Sequence, residues 1–238
     1  MSIYILVHGA YHGGWCYEKI VPRIERAGHT AIAVDLPGHG DDQVPIASVT
    51  LDAYVSHVCE VVLAQPTPVI LVGHSLAGMT VTQVAECIPD KLDWVVYLTA
   101  MMPKNGQNRI DLAEFEGPYK MTSKRVLSDD GLSATMPEEI IPQTFYGECS
   151  ADDVARAIAR LVPQATEPLQ REVRTTPERF GIVKRAFIEC LRDNAIPVAM
   201  QRAMIEAQPC NRVFTIDTDH SPFYSAPDEL VSKLLELA

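Results

Sequence analysis

The chain has 238 residues and an apolar fraction of 47%, which suits one compact α/β domain with room for an inserted lid. Disorder is excluded, because this much apolar surface can form a buried core. The formal net charge of −11 at pH 7 argues against nucleic acid and against anionic membrane surfaces as partners.

The six cysteines and the N-terminal residues bear on the cellular compartment. The cysteines are scattered, with no C-x-x-C pair and no metal-ligand spacing, so we expect free thiols in a reducing compartment and no metal. The first residues run directly into an apolar strand, without a basic leader or a long apolar stretch. The sequence therefore predicts a cytoplasmic protein with neither a signal peptide nor a membrane span.

Short β-rich runs alternate with helical patterns along most of the chain. We predict strands over residues 3–7, 31–34, 69–72, 95–98, 183–188 and 213–216. We predict helices over residues 15–27, 51–64, 76–88, 198–207 and 228–237. Such alternation indicates mostly parallel strands joined by crossover helices on both faces, which is a doubly wound α/β sheet.

Residues 104–180 interrupt this alternation and carry helical segments of their own. Ser150 is expected to cap one of these helices, whose apolar stripe is formed by Val154, Ile158 and Leu161. Ligands of open α/β sheets bind at the carboxyl edge of the strands, and an insertion lying over that edge would be a lid. We therefore predict a single domain over 1–238 with a mainly helical cap over about 104–180.

The most informative motif is Gly73-His74-Ser75-Leu76-Ala77, which joins a buried strand directly to a helix. This context is typical of a nucleophile elbow, a strained turn that holds a serine hydroxyl above the sheet. Ala77 departs from the usual last glycine of the motif, but it adds only a methyl group. We predict that Ser75 is a catalytic nucleophile.

A serine nucleophile that attacks a carbonyl also needs donors for the negative oxygen of the tetrahedral intermediate. The backbone N–H of Leu76 follows the nucleophile at a helix N-terminus, where the helix dipole adds to the effect. The second donor should come from the glycine-rich loop after the first strand, and we assign it to the N–H of Ala10.

The base and the acid of a triad should follow the serine in the order acid, then histidine. Of the seven histidines in the sequence, only His220 comes after Ser75, and it lies in a loop just past a predicted strand. Asp193 follows the preceding predicted strand. The carboxylate would hold the imidazole tautomer and stabilise the imidazolium. Asp217 and Asp219 compete for this role but lie so close to His220 in sequence that the geometry would be cramped.

With these residues in hand, the chain resembles the plant methylesterase and hydroxynitrile lyase family of α/β-hydrolases, which has bacterial esterase relatives. The resemblance covers nearly the whole chain. It rests on five motifs, at residues 7–15, 72–79, 144–146 with 152–154, 193–197 with 201–202, and 219–222. It implies a minimal α/β-hydrolase sheet, a helical cap with a small sheet, no cofactor, the triad given above, and Ala10 and Leu76 as oxyanion donors.

The two activities of that family separate by local chemistry. The lyases resemble this chain but carry a threonine at the position of Gly9 and a lysine at the position of Ser221. That lysine supplies positive charge for the departing cyanide, which Ser221 cannot do. The sequence therefore favours a carboxylesterase that forms an acyl-enzyme on Ser75, with lyase-type C–C cleavage as the weaker hypothesis.

The same triad is compatible with reactions beyond the hydrolysis of simple esters. A lactonase or an amidase could use it, whereas a receptor-like hydrolase fold without activity is disfavoured because the triad is complete. The substrate is expected to be a small or medium ester in a mostly apolar pocket, and a homodimer is our working hypothesis because dimers are common on this fold. The predicted pocket residues are Tyr11, Phe115, Tyr119, Phe145, Tyr146 and Phe223.

Overall fold

The computed structural model describes residues 1–116 and 124–238. Its strands are β1 (Ile3–Val7), β2 (Thr30–Val34), β3 (Val69–His74), β4 (Leu92–Leu98), β5 (Val126–Leu127), β6 (Ser133–Thr135), β7 (Gln164–Ala165), β8 (Arg185–Cys190) and β9 (Arg212–Ile216). Its helices are α1 (Val21–Arg26), α2 (Leu51–Leu63), α3 (Ala77–Cys87), α4 (Ile141–Phe145), α5 (Ala151–Ile158), α6 (Glu167–Gln170), α7 (Val198–Ala207), α8 (Pro222–Ser225) and α9 (Pro227–Leu235). None of the helices in these ranges has the length and apolar character needed to span a membrane.

The main sheet has six strands in the order β2-β1-β3-β4-β8-β9, and every neighbouring pair is parallel. This confirms the predicted α/β fold. The chain adds β2 on one side of β1 and then crosses to add β3 on the other side, so the direction of winding reverses between β1 and β3. The carboxyl ends of all six strands lie along one edge. Loops that follow these strands therefore converge there, where open α/β sheets place their ligands.

Alternate residues of the strands supply two separate cores, one on each face of the sheet. In β1, Ile3, Ile5 and Val7 pack with the helices α2, α3 and α7 on one face, while Tyr4 and Leu6 pack with α1 and α9 on the other. A strand buried on both faces is apolar at every position, which is why 3–7 shows no alternation in sequence. The doubly wound arrangement follows from this.

The segment 104–180, called the cap below, carries its own small antiparallel sheet in the order β5-β6-β7. Ser150 caps α5 as expected, because its hydroxyl accepts the N–H of Asp153 at 3.2 Å. The cap is hydrogen-bonded to the loop after β1, since the N–H of Val162 donates to the carbonyl of Tyr11 at 2.9 Å. It also reaches the loop after β9, where the Glu148 N–H donates to Asp219 at 2.8 Å.

One predicted helix is wrong in its form. Residues 15–27 do not make a continuous helix, but a 3₁₀ turn over Gly14–Tyr17 followed by α1 over Val21–Arg26. The glycine-rich loop before them explains the break, because the Gly14 N–H is bonded to the Asp35 carboxylate at 2.6 Å and the 3₁₀ turn begins there. The helix ends as expected near Gly28, whose φ is +87°.

A single glycine fixes the distance between α3 and the loop after β4. A Cβ placed on Gly78 would lie 1.8 Å from the carbonyl oxygen of Met101, which is backbone and cannot rotate away. The same loop is bonded to the elbow, because the Met101 N–H donates to the carbonyl of Ser75 at 2.9 Å. Close approach of α3 therefore holds the elbow against the sheet.

We predict that Gly78→Ala destabilises the fold, because the new methyl group must push α3 away from Met101. Overpacking of this kind costs about 1–3 kcal/mol, which corresponds to a melting temperature lower by ~5 °C. Thermal unfolding followed by circular dichroism measures it. Gly181→Ala is the matched control, since its Cβ would meet nothing closer than 3.6 Å; equal melting temperatures for the two variants would contradict the argument.

Candidate active site

Three side chains that are far apart in sequence meet at the carboxyl edge of the sheet. Ser75 follows β3, Asp193 follows β8 and His220 follows β9. The Nε2 of His220 lies 3.0 Å from the Ser75 hydroxyl, and its Nδ1 lies 2.6 Å from a carboxylate oxygen of Asp193. The imidazole thus bridges a hydroxyl and a buried carboxylate, in the geometry that nucleophile activation requires.

Ser75 is held in a backbone conformation that a serine rarely adopts. Its φ is +54°, in the left-handed region, between the last residue of β3 and the first turn of α3. The turn is crowded, because a Cβ on Gly73 would lie 2.8 Å from the Val81 side chain. The strain and the crowding together describe a nucleophile elbow, with the departure at Ala77 accommodated inside α3.

The Asp193 carboxylate is buried and accepts hydrogen bonds from several sides. The backbone N–H groups of Ala195 and Ile196 donate to one oxygen at 2.6 and 2.8 Å. The other oxygen accepts from His220 and from the hydroxyl of Thr99. Thr99 was not anticipated from sequence, and its φ of +37° shows that the chain after β4 is bent to bring it there.

The competing acids have other partners. Asp219 accepts the N–H of Ser221 at 3.0 Å and the Ser225 hydroxyl at 2.7 Å, so it shapes the histidine loop without touching the imidazole. Asp217 forms an exposed ion pair with Arg192 at 3.1 Å. Of the acids weighed from the sequence, Asp193 has the contact with His220.

The two expected oxyanion donors lie beside the serine. Ala10 and Leu76 both line the cavity that contains Ser75. Within the described parts of the chain, neither backbone N–H donates a hydrogen bond to another group. Two free N–H groups next to a nucleophilic hydroxyl can bind an oxygen that becomes negative during attack on a carbonyl.

The loop that carries Ala10 is anchored by buried histidines. His8 donates from Nδ1 to the carbonyl of Gly9 at 2.8 Å and accepts the N–H of Leu36 at Nε2, 3.1 Å away. A Cβ on Gly9 would lie 2.7 Å from the Ser75 Cβ, so this loop passes as close to the nucleophile as a backbone can.

Two further histidines extend this anchor. His12 lies 2.7 Å from the carbonyl of Ala10 through Nδ1 and 2.7 Å from the Tyr146 hydroxyl through Nε2. His39 contacts the carbonyl of His12 at 2.9 Å and the Tyr54 hydroxyl at 2.8 Å. Each ring donates to a carbonyl from Nδ1 and accepts a hydroxyl at Nε2, which fixes it as one neutral tautomer.

Burial keeps these rings uncharged. It lowers the pKa of His12 and of His39 to about 4, and the carbonyls that they contact only partly oppose the shift. Burial also lowers the pKa of His8 and His74 well below the ordinary value. The ring of His74 lies against that of His220, with centroids 4.6 Å apart and the planes tilted, and its Nε2 donates to the carbonyl of His220 at 2.8 Å.

The cavity at the serine agrees with only part of the predicted aromatic lining. Tyr11 and Phe145 line it, whereas Tyr119 lies outside the described residues. Phe115 does not line it and instead packs, partly buried, against the core on one face of the sheet, so its contact with substrate stays a prediction. Tyr146 and Phe223 do not line it either: both contact His12, Tyr146 through a hydrogen bond to the ring and Phe223 packed edge-on against it. Their contact with substrate likewise stays a prediction.

Several lining residues were missed by sequence reasoning. They are Met101, Arg109, Arg125 and Ile196, whereas His12 and His74, which also line the cavity, lie on edge loops where the sequence allowed either a pocket or a structural role. Arg109 and Arg125 belong to the cap, where no periodic pattern or motif distinguishes them from surface arginines. The enclosed space is about 20 Å³, roughly that of one water molecule, so a substrate can bind only if cap side chains move. Among the described residues, no cluster of His, Cys, Asp and Glu could hold a metal.

Comparison with known proteins agrees with this fold. The Alpha/beta hydrolase family matches residues 4–233. Salicylic acid-binding protein 2 of Nicotiana tabacum is 34% identical over 99% of this chain and 96% of its own length. Putative methylesterase 11, chloroplastic, of Arabidopsis thaliana is 30% identical over 99% of this chain, which spans 63% of that longer protein. The crystal structure of a methylesterase from Arabidopsis has a TM-score of 0.86 and 28% identity, covering 99% of this chain and 98% of its own.

The chain therefore belongs to the α/β hydrolase family. Within that family it is related to the plant methylesterases, which confirms the resemblance drawn from the motifs.

We predict that the fold loses stability in mild acid because of the buried histidines. Unfolded histidines titrate near 6.5, whereas folded His12 and His39 titrate at about 4. Between these values the unfolded state binds more protons, so the free energy of unfolding falls as the pH falls, by about 1.4 kcal/mol per pH unit for each histidine.

Urea unfolding measured from about pH 7 to about pH 4 tests this. His39→Gln removes one of the groups, and the slope of unfolding free energy against pH should then decrease by about one histidine's share. An unchanged slope in this variant would show that His39 does not contribute.

Proposed function

We propose that this chain is a serine carboxylesterase that hydrolyses small to medium carboxylic esters through an acyl-enzyme on Ser75. The observation that carries the proposal is the continuous set of contacts from the Ser75 hydroxyl through His220 to the buried Asp193 carboxylate. The uncommitted N–H groups of Ala10 and Leu76 beside that hydroxyl support the same reaction.

At the level of reaction class, the chain is a hydrolase that acts on ester bonds. Its relatives are methylesterases and esterases, and the similarity extends over nearly the full length of this chain. A small-molecule ester is accordingly the expected ligand. The cytoplasmic location and the homodimer stay predictions.

The first half of the reaction is acylation. His220 accepts the hydroxyl proton at Nε2 while the Ser75 oxygen attacks the ester carbonyl, and the carbonyl oxygen becomes negative between the N–H groups of Ala10 and Leu76. The C–O bond to the alcohol then breaks as His220 returns the proton to the departing oxygen. The alcohol leaves and the acyl group stays on Ser75.

The second half is hydrolysis of the acyl-enzyme. His220 takes a proton from a water molecule, whose oxygen attacks the acyl carbon, and the proton then passes to the Ser75 oxygen as the acid is released. Asp193 keeps Nδ1 of the imidazole protonated, so that Nε2 is free to accept, and it stabilises the imidazolium in both halves.

Gly9 argues against lyase-type cleavage. A threonine there, as in the lyases that the chain resembles, would place its Cβ 2.7 Å from the Ser75 Cβ and 2.9 Å from Nδ1 of His74. Backbone or side chains around the nucleophile would have to shift to admit it. The unbranched glycine instead leaves the Ser75 hydroxyl open to an ester carbonyl, which favours acyl transfer.

We predict that Ser75→Ala abolishes ester hydrolysis, because the acyl group then has no oxygen to bind. The loss should be about 10⁴-fold or more in kcat, as for other serine hydrolases that lose their nucleophile. A panel of chromogenic esters, lactones and amides of graded size measures the rate, and a fluorophosphonate probe measures labelling of the serine.

Ser232→Ala, at an exposed position of α9, is the matched control and should keep both activity and labelling. Turnover of the panel by Ser75→Ala at the unmodified rate would refute the assignment. Absence of labelling and turnover in the unmodified chain would instead favour a receptor-like hydrolase fold without activity.

We predict that Asp193→Asn lowers kcat by about 10³–10⁴-fold while the chain stays folded. The amide can donate to Nδ1 of His220, which moves the ring proton to Nε2 and leaves no site to accept the serine proton. Asp217→Asn, which changes the exposed competing acid, should keep the rate within about twofold, since surface ion pairs contribute little. Comparable losses in both variants would contradict the assignment of Asp193.

A further inference from the structure

Two arginines face the same cavity as the nucleophile, in a chain whose net charge is −11. Arg109 and Arg125 both come from the cap, and Arg109 is 1% exposed. Among the described residues that line this cavity, none carries a carboxylate side chain. The cap therefore brings two guanidinium groups to this cavity, although the chain as a whole is acidic.

Tyr11 adds a third donor to this part of the cavity. Its φ is +68°, a left-handed conformation that is unusual for a bulky residue, and its carbonyl is fixed to the cap by the Val162 N–H. Its hydroxyl is buried and makes no hydrogen bond of regular geometry to the described residues, but Arg125 lies close enough for a hydrogen bond that lowers the pKa of Tyr11. Burial raises the pKa of Tyr11, and the positive charges of Arg125 and Arg109 oppose the shift, so both guanidinium groups act on this hydroxyl.

Arg125 also has unused hydrogen-bonding capacity. Its Nε is buried and makes no hydrogen bond within the described residues. A buried guanidinium N–H that has lost water and gained no acceptor is costly, and the cost is recovered when an anion supplies the acceptor. A carboxylate suits this site best, because its two oxygens match the planar donors of arginine.

We propose that the ester substrate carries a second group that is anionic, a carboxylate, and that Arg125, Arg109 and Tyr11 bind it while Ser75 attacks the ester carbonyl. This inference rests on the proposed function and narrows it to small half-esters, that is, monoesters of dicarboxylic acids. The apolar lining expected from sequence holds near Phe145 and Ile196, whereas the cap arginines form the polar end.

The test compares two substrates that differ in one charge. Monomethyl succinate carries a free carboxylate, and dimethyl succinate is neutral, while both release methanol. We expect the ratio of kcat/KM for the monoester to that for the diester to be higher in the unmodified chain than in Arg125→Gln by about tenfold or more, mainly through KM. Taking the ratio within each variant cancels the intrinsic reactivities of the two esters and any loss that affects both alike.

Two further variants make the comparison specific. Arg125→Lys keeps the charge but not the paired donors, so its ratio should lie between those of the unmodified chain and Arg125→Gln. Arg171→Gln, which changes an exposed cap arginine paired with Asp52, should leave the ratio unchanged. If Arg125→Gln fails to fold, as judged by thermal unfolding, the comparison of the unmodified chain with Arg125→Lys gives the answer.

The outcomes separate this inference from the proposed function. Diester hydrolysis that depends on Ser75, with the same substrate ratio in the unmodified chain, Arg125→Lys and Arg125→Gln, would overturn the carboxylate subsite and leave the esterase standing. Failure to hydrolyse either ester, together with no fluorophosphonate labelling, would overturn the proposed function itself. A ratio that falls in the order arginine, lysine, glutamine supports the subsite.

Discussion

The site depends on a carboxylate that is buried and hydrogen-bonded on every side. Asp193 would be costly to bury as an isolated charge, but two backbone N–H groups, one hydroxyl and one imidazole satisfy it. These donors come from β4, β8 and β9 or the loops after them, so the sheet must be complete before the carboxylate is stable. The orientation of His220, and with it the reach to Ser75, follows from this arrangement.

The loop after β1, which carries the proposed oxyanion donor Ala10, also has polar backbone groups that must be satisfied in a buried place. A Cβ on Gly9 would lie 2.7 Å from the Ser75 Cβ, so the loop cannot carry a side chain there to fill the space around it. His8, His12 and His39 fill that space and also bind the carbonyls that the loop leaves unpaired. Neutral imidazole is suited to this, because one ring donates and accepts at opposite ends. The structural stability of the loop is thereby linked to pH, through rings that do not take part in the reaction.

Most of the strands and the candidate triad could be predicted from the sequence, because they are governed by the order of elements and by backbone constraints. A buried strand followed by a small-residue turn and a helix identifies Ser75, and the order of strands then leaves few positions for an acid and a base. The strands were correct to within a few residues, since their apolar runs are continuous. The helix over 15–27 was wrong because tertiary bonds from the Gly14 backbone interrupt a pattern that looks helical in isolation.

The residues that could not be predicted act through tertiary contacts alone. Thr99, just after β4, reaches Asp193, which lies 94 positions further along the chain, in a backbone conformation that no local pattern signals. Tyr146 and Phe223 belong to conspicuous motifs, and the structure places both against histidines of the site without bringing them into the lining of the cavity at Ser75. An aromatic near a catalytic motif is as useful for positioning the catalytic loop as for contacting a ligand.

Two arginines line the cavity of a chain that is acidic overall, so the distance over which each set of charges acts decides which set a bound ligand experiences. Charges on the surface are screened over about 8 Å at physiological ionic strength, so the net charge of −11 has little influence on a group that has already entered the cavity. The guanidinium groups of Arg109 and Arg125 line the cavity itself, so they would act on such a group at short range. In the proposed carboxylate subsite, the charges of the cavity lining would hold the ester with its carbonyl beside Ser75, whereas the net charge of the chain would act mainly on the rate of approach. Selectivity among esters is then expected to depend on the few charges of the lining more than on the many charges of the surface.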